Sequence, residues 1–172
     1  MDNFFPSADY KVPSTSNYMK FSEGENTFRI LSSAVIGWEY WTEDNKPIRS
    51  KIALTKIPDD IKMDENGDIQ VNHFWAFTVW NYEEKRIQIL ELTQKGVMKT
   101  MQGYIKNEKW GQPNGYDFVI TKTGSGMATK YATSVNPHSE IPEDAKEAFL
   151  AKKINLEALF DGSDPFTDKK GE

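Results

Sequence analysis

The sequence predicts a mainly β fold with one helix set between two strand hairpins. Three observations carry this. Residues 73–92 (HFWAFTVWNYEEKRIQILEL) are two runs of aromatic and β-branched residues around a four-residue polar break, which suits a hairpin. Val97, Met98, Met101, Tyr104 and Ile105 fall at i, i+1, i+4, i+7 and i+8, one stripe of a helix over residues 93–107. Residues 117–122 and 127–134 then flank Thr123-Gly124-Ser125-Gly126 as a second hairpin.

The other elements follow in chain order. Residues 1–17 (MDNFFPSADYKVPSTSN) have no period and read as an extended arm, with Phe4 and Phe5 docking on the body or a neighbouring subunit. Residues 18–21 read as a short strand, 22–26 as a turn around Gly24, and 27–41 (TFRILSSAVIGWEYW) as a strand that bulges or bends at Gly37. In residues 47–54, Ile48, Ile52 and Leu54 alternate with Arg49, Lys51 and Ala53, predicting a half-buried strand with a cationic outer face. Residues 56–68 form a polar connection ending in Asn66-Gly67, a hairpin-turn signal. A calcium loop with Gly67 at its sixth position would place Lys62 first and His73 twelfth, and neither is a calcium ligand.

In the central hairpin, Trp75, Phe77 and Val79 alternate onto one face of the first strand, and Phe74, Ala76, Thr78 and Trp80 onto the other. One face fills a core. The other is covered by protein or offers rings to a ligand. Thr93 is the expected N-cap of the helix, with Leu92 and Val97 as a hydrophobic staple. Residues 143–153 and 156–160 show a short helical pattern, and from Asp161 the polar, turn-rich tail reads as disordered.

Composition narrows the function. A chain of 172 residues suits one domain with extensions: an arm over 1–17, a body over 18–137, and a helix with an acidic tail over 138–172. Net charge is −5, and residues 136–172 carry −4 of it, leaving a nearly neutral body that can hold a basic face. Without cysteine there is no disulfide or thiolate metal site, and His73 and His138 are too few for a histidine-rich centre. No metal or other cofactor is implied. No apolar run reaches membrane-spanning length and no basic-then-apolar leader opens the chain, so a soluble, cytoplasmic protein is expected.

About five curved strands with one helix between the third and fourth is the order of an OB-fold barrel, which binds oligonucleotides across strands 2–3 and two loops. Single-strand binding needs rings for stacking and cations for phosphates. The candidate rings are Tyr40, Trp41, Phe74, Trp75, Trp80 and Tyr131; the candidate cations are Arg49, Lys51, Lys122 and Lys130. Each has a plainer reading. A strand aromatic is more often core, Trp75 above all, and lysines on strands often only solvate a face. The coincidence of rings and cations on the same strands favours binding.

The segments FRILSSAVIGWEYW, NHFWAFTVWNYEEKRIQILELTQ and GYDFVITKTGSGMATKY resemble bacteriophage single-stranded DNA-binding proteins of the OB-fold class, across residues 18–137. The resemblance implies a protein that coats single strands in replication, recombination or repair, in the host cell cytoplasm if phage-encoded. It implies an acidic tail that recruits replication or recombination proteins and restrains binding. Asp161, Asp164, Pro165 and Phe166 are similar to the acidic tip of bacterial single-strand binding proteins, but they lie six residues before the end and two lysines follow. The zinc site of some phage relatives cannot form without cysteine. Homo-oligomers are compatible with this reading.

Two other classes compete. A metal-dependent nuclease would use Asp59, Asp60, Asp64 and Asp68, but these lie in a turn-rich connection where metal geometry is hard to hold. A protein-interaction or virion component would use the same barrel without nucleic acid.

Overall fold

The computed structural model describes residues 16–166. It is mainly β, with strands β1 (Gly24–Ile30), β2 (Val35–Trp41), β3 (Pro47–Ser50), β4 (Asn72–Asn81), β5 (Arg86–Leu92), β6 (Asp117–Thr123) and β7 (Lys130–Val135). Helix α1 (Lys95–Lys106) links β5 to β6, and α2 (Glu143–Ala151) follows β7. One antiparallel sheet runs β3-β2-β4-β1-β6-β7, with β5 on the remaining edge of β4.

β4 is the keystone. Along one edge it pairs first with β1 (Ile30 opposite Val79) and then with β2 (Val35 opposite Ala76). Along the other it pairs with β5 from Trp75–Leu92 to Asn81–Arg86. The strand expected over 27–41 is therefore one line broken at residues 31–34. Thr78 explains the break: its N–H donates to Ser32 Oγ at 2.9 Å and its carbonyl accepts from Leu31 N at 2.9 Å. A side chain here replaces a backbone acceptor, so the bend sits there and not at Gly37. Gly37 meets a different need. A Cβ on it would lie 2.5 Å from Ser50 O and 2.8 Å from the Phe160 ring.

Other expectations shift at the ends of elements. β3 stops at Ser50, whose hydroxyl turns to bond Ile52 N and O and so leaves the ladder. Helix α1 has Gln94 at its N-cap, not Thr93, and no side chain caps it. The 64–68 turn forms as the Asn-Gly signal predicts, with Gly67 at φ +77° and Asp64 N donating to Asp68 O at 2.9 Å. The sheet has seven strands where about five are expected, and among the described residues β5 and β7 do not pair. The outer edge of β5 is taken instead by the incoming chain: Met19 N donates to Ile89 O at 2.8 Å and Ile89 N to Asn17 O at 2.9 Å.

The main core lies on the inner face of β4. Phe77 and Val79 meet Leu90 and Leu92 of β5, Phe28 and Ile30 of β1, Phe118 and Ile120 of β6, and the Val97, Met98 and Met101 stripe of α1. Burying each such side chain contributes about 1.5–3 kcal/mol. The outer face is sealed by the C-terminal region. Leu156 and Leu159, from a 3-10 turn (Leu156–Phe160), cover Phe74, Ala76 and Ile89, and Ala145 of α2 covers Trp80 and Ile87. Arg29, fully buried, ties the chain after β7 to this face: it bonds Asp117 Oδ1 at 2.7 Å, Ser139 Oγ at 2.6 Å and Ser139 O at 3.0 Å.

Residues 161–166, expected to be disordered, fold onto the body. Pro165 is buried and its carbonyl accepts from Asn155 N at 2.9 Å, and Phe166 meets Tyr18 edge-on at 6.3 Å. The apolar pair Pro165-Phe166 outweighs the polar residues around it. Phe4, Phe5 and the rest of 1–15, with 167–172, lie outside the described residues. No described helix is long and apolar enough to cross a membrane.

Candidate nucleic-acid interface

On the outer face, the expected rings are closed off. Phe74 is 0% and Trp80 4% exposed, so both are core beneath the C-terminal region. Arg49 also points inward, which reverses the cationic face expected of residues 47–54. The β2–β3 register sets it opposite Glu39, with its Nε 3.0 Å from Glu39 Oε2 and Nη2 2.8 Å from Glu91 Oε2. Its guanidinium lies 5.9 Å from the Phe74 ring centre. Burial, with Glu91 beside it, pushes the Glu39 carboxyl up to about 8. Lys51 is exposed but paired with Glu157 at 2.5 Å, above the Phe160 ring. Ile48 and Ile52 take the exposed positions instead.

The opposite face is open. β5 ends at Leu92, opposite Trp75, so β2, β3 and the start of β4 overhang the core. Register places Ile36 beside Trp75, Trp38 beside His73, and Tyr40 beside Ile48 on this overhang. The Trp38 and His73 rings are 4.9 Å apart. Ile36 is 51% exposed, and Trp38, Tyr40, His73 and Trp75 are half-buried. Among the described residues no strand layer covers their outer edges, and burial, with Asp60 beside it, pushes the Tyr40 hydroxyl up.

Helix α1 supplies the charge. Its buried stripe leaves Lys95, Lys99 and Gln102 at i, i+4 and i+7 on the other side, and these face Ile36, His73 and Trp75 across a groove of ≈ 440 Å³. Among the described residues neither lysine has an ion pair. Lys95 opens the helix, and no acidic residue stands in that turn. A cation there opposes the helix dipole by about 0.3–1 kcal/mol, a penalty that a bound anion relieves.

The remaining predicted residues scatter. Trp41 is exposed on the other side of β2, beside Lys62, Asp64 and Asp68. Lys122, Lys130 and Tyr131 lie on the β6–β7 hairpin, level with Gly24 and so at the far end of the β1–β2 line from Trp41. Tyr131 packs on Phe21 at 6.0 Å. In the tail, Asp161 Oδ1 accepts from Ser163 N at 2.8 Å and Asp164 Oδ1 from Phe166 N at 2.9 Å. Of the ten predicted nucleic-acid residues the overhang gathers Tyr40 and Trp75.

Sequence reasoning missed Ile36, Trp38, His73, Lys95 and Lys99. A signal existed for three of them: Trp38 shares the alternation of Tyr40, and the helical stripe that buries Val97 sets Lys95 and Lys99 on the opposite side. The aspartates of the 59–68 connection do not gather into a centre. Asp64 Oδ1 accepts from Asn66 N and Asp68 N, each at 2.9 Å, as the cap of its own turn. Among the described residues, no three His, Asp or Glu converge as metal ligands would. Comparison with family models, curated proteins and solved structures found no match.

Proposed function

We propose that the chain binds single-stranded DNA with little sequence preference and coats it during phage replication, recombination or repair. The observation that carries this is the open groove in which Ile36, His73 and Trp75 face Lys95 and Lys99, neither lysine ion-paired among the described residues, with Trp38 and Tyr40 continuing the same strand face. Stacking contributes about 1–3 kcal/mol per base and tolerates any sequence, while lysines follow the phosphates. The order of elements supports an OB-type body. In that reading β1 with β2 is a bent first strand, β4 and β5 are the second and third, α1 precedes the fourth, and β6 and β7 are the fourth and fifth. β3 then elaborates the loop after the first strand. Met19 in the core and Phe21 against Tyr131 occupy the gap between β5 and β7.

Recruitment of replication proteins through Asp161, Asp164, Pro165 and Phe166 would require release of Phe166 from Tyr18. A second reading, protein docking on the overhang in a virion or assembly role, is favoured by the exposure of Ile48, Ile52 and Ile57.

Tryptophan fluorescence titration with a mixed-sequence single strand and its duplex, at two salt concentrations, separates the two. Quenching by the single strand alone, weakened by salt and by Lys99→Ala, is expected. A folded protein that shows no quenching at low salt would overturn the DNA reading and leave protein docking.

A further inference from the structure

Two hollows flank the Trp38–His73 ring pair, whose planes are tilted by 48°. One is the groove between Trp75 and α1. The other, of ≈ 300 Å³, is walled by Trp38, Ile57, Pro58, Ile69 and Val71, with Lys56 on its rim. Trp38 and His73 pair directly across β2 and β4, so their two rings form the wall between the hollows. His73 Nδ1 is buried with no hydrogen-bond partner, and the ring packs on Trp38 without a bond at that nitrogen.

The charge around both hollows is one-sided. The chain has 26 acidic and 21 basic residues, yet three lysines and no Asp or Glu line the pair. Of the acids in the intervening connection, Asp64 and Asp68 line a separate hollow with Trp41, and Asp60 meets Tyr40 beyond the two hollows. Flat apolar walls suit uncharged bases, and a cation beside each hollow suits the phosphates that join them. An acidic peptide would match the lysines but would set charged side chains against Trp38, Ile57 and Val71.

We infer that a single strand crosses the Trp38–His73 ring pair, with nucleotides in both hollows, Lys95 and Lys99 holding phosphates on one flank and Lys56 on the other. This rests on the single-strand reading and extends it. The contact is thus one continuous track from α1 to the connection after β3.

The test is binding of fluorescein-labelled oligothymidylates of about 2–8 nucleotides, at several salt concentrations, to the full chain and to Lys56→Ala, Ile57→Ser and Lys99→Ala. All three side chains are exposed, so the fold is retained. For the longest oligomer each variant should weaken binding about fivefold or more. Each lysine variant should also reduce the salt slope by about 0.7, and Ile57→Ser should leave the slope unchanged. If Lys99→Ala weakens binding while Lys56→Ala and Ile57→Ser have no effect at any length, the second hollow is not used, and the single-strand reading survives. If the unmodified chain binds no oligomer at low salt, both readings fall.

Discussion

The two faces of β4 are alike in sequence and opposite in outcome. Phe74, Ala76, Thr78 and Trp80 alternate with Trp75, Phe77 and Val79, and either set could be a core or a platform. The outer set is sealed by residues that follow some 65–85 positions later, Ala145, Leu156 and Leu159. The inner set is core where β5 and α1 reach it, but at Trp75 and His73 the cover ends and the rings stand over a groove. Alternation therefore reports which residues share a face. What lies on that face is decided by distant chain, and the proposed binding strip sits where the cover runs out.

Removing the cover should have the largest effect. A chain ending at Asn155 loses Leu156, Ala158 and Leu159, and so exposes Phe74 and Ile89. Two leucines at about 1.5–3 kcal/mol each correspond to a drop in Tm of about 10–20 °C for a domain of this size. Thermal unfolding followed by circular dichroism measures it. The tail-competition role implied by the phage resemblance predicts the reverse, tighter DNA binding with an unchanged Tm.

The tryptophans divide along the same line. Trp80→Ala empties a core position and should destabilise by about 3–5 kcal/mol in denaturant unfolding. Trp38→Ala should change stability far less and reduce oligonucleotide affinity about fivefold or more. If Trp80→Ala instead left stability intact and removed DNA binding, the two faces would have to be exchanged.

Much of this fold was legible because its signals are local. The central hairpin, the Asn66-Gly67 turn and the α1 stripe each depend on residues within one element, and each forms. Long-range partners were not legible. Arg49 looked solvent-facing because nothing in residues 47–54 shows Glu39 and Glu91 waiting inside. A short strand whose exposed side carries Ile48, with Ile52 exposed just beyond its end, inverts the usual reading of alternation, and the buried carboxylates turn Arg49 inward. The site was half legible for the same reason: Tyr40 and Trp75 declare themselves as aromatics, whereas Lys95 and Lys99 become site residues only when α1 packs beneath the overhang.

Those carboxylates give the sealed side a pH dependence of its own. Glu39 has its pKa raised to about 8 from the ordinary 4.5, chiefly by burial and then by Glu91. The folded state holds the proton more tightly, so the contribution to stability is complete below about 4.5 and declines as pH rises toward 8. Above that the folded form ionises as well and the decline levels off. Unfolding at pH 5 and pH 8 should show a loss of at most a few kcal/mol, and Glu39→Gln should flatten it. A rise in stability across this window would mean that Arg49 holds Glu39 ionised and that the buried triad works in the opposite sense.

The smallest effect is expected at Lys51, which best separates the faces as sources of charge. Its pair with Glu157 is more than half exposed on both sides, so Lys51→Ala should change stability by about 0–1 kcal/mol. Because Glu157 already neutralises it over the sealed face, its loss should also leave the salt slope of DNA binding unchanged. Lys99 is equally a surface lysine, but Lys99→Ala should lower that slope by about 0.7, since its positive charge has only a phosphate to meet. Equal slopes for the two variants would place DNA on both faces at once, which the packing of Leu156 and Leu159 over Phe74 does not leave room for.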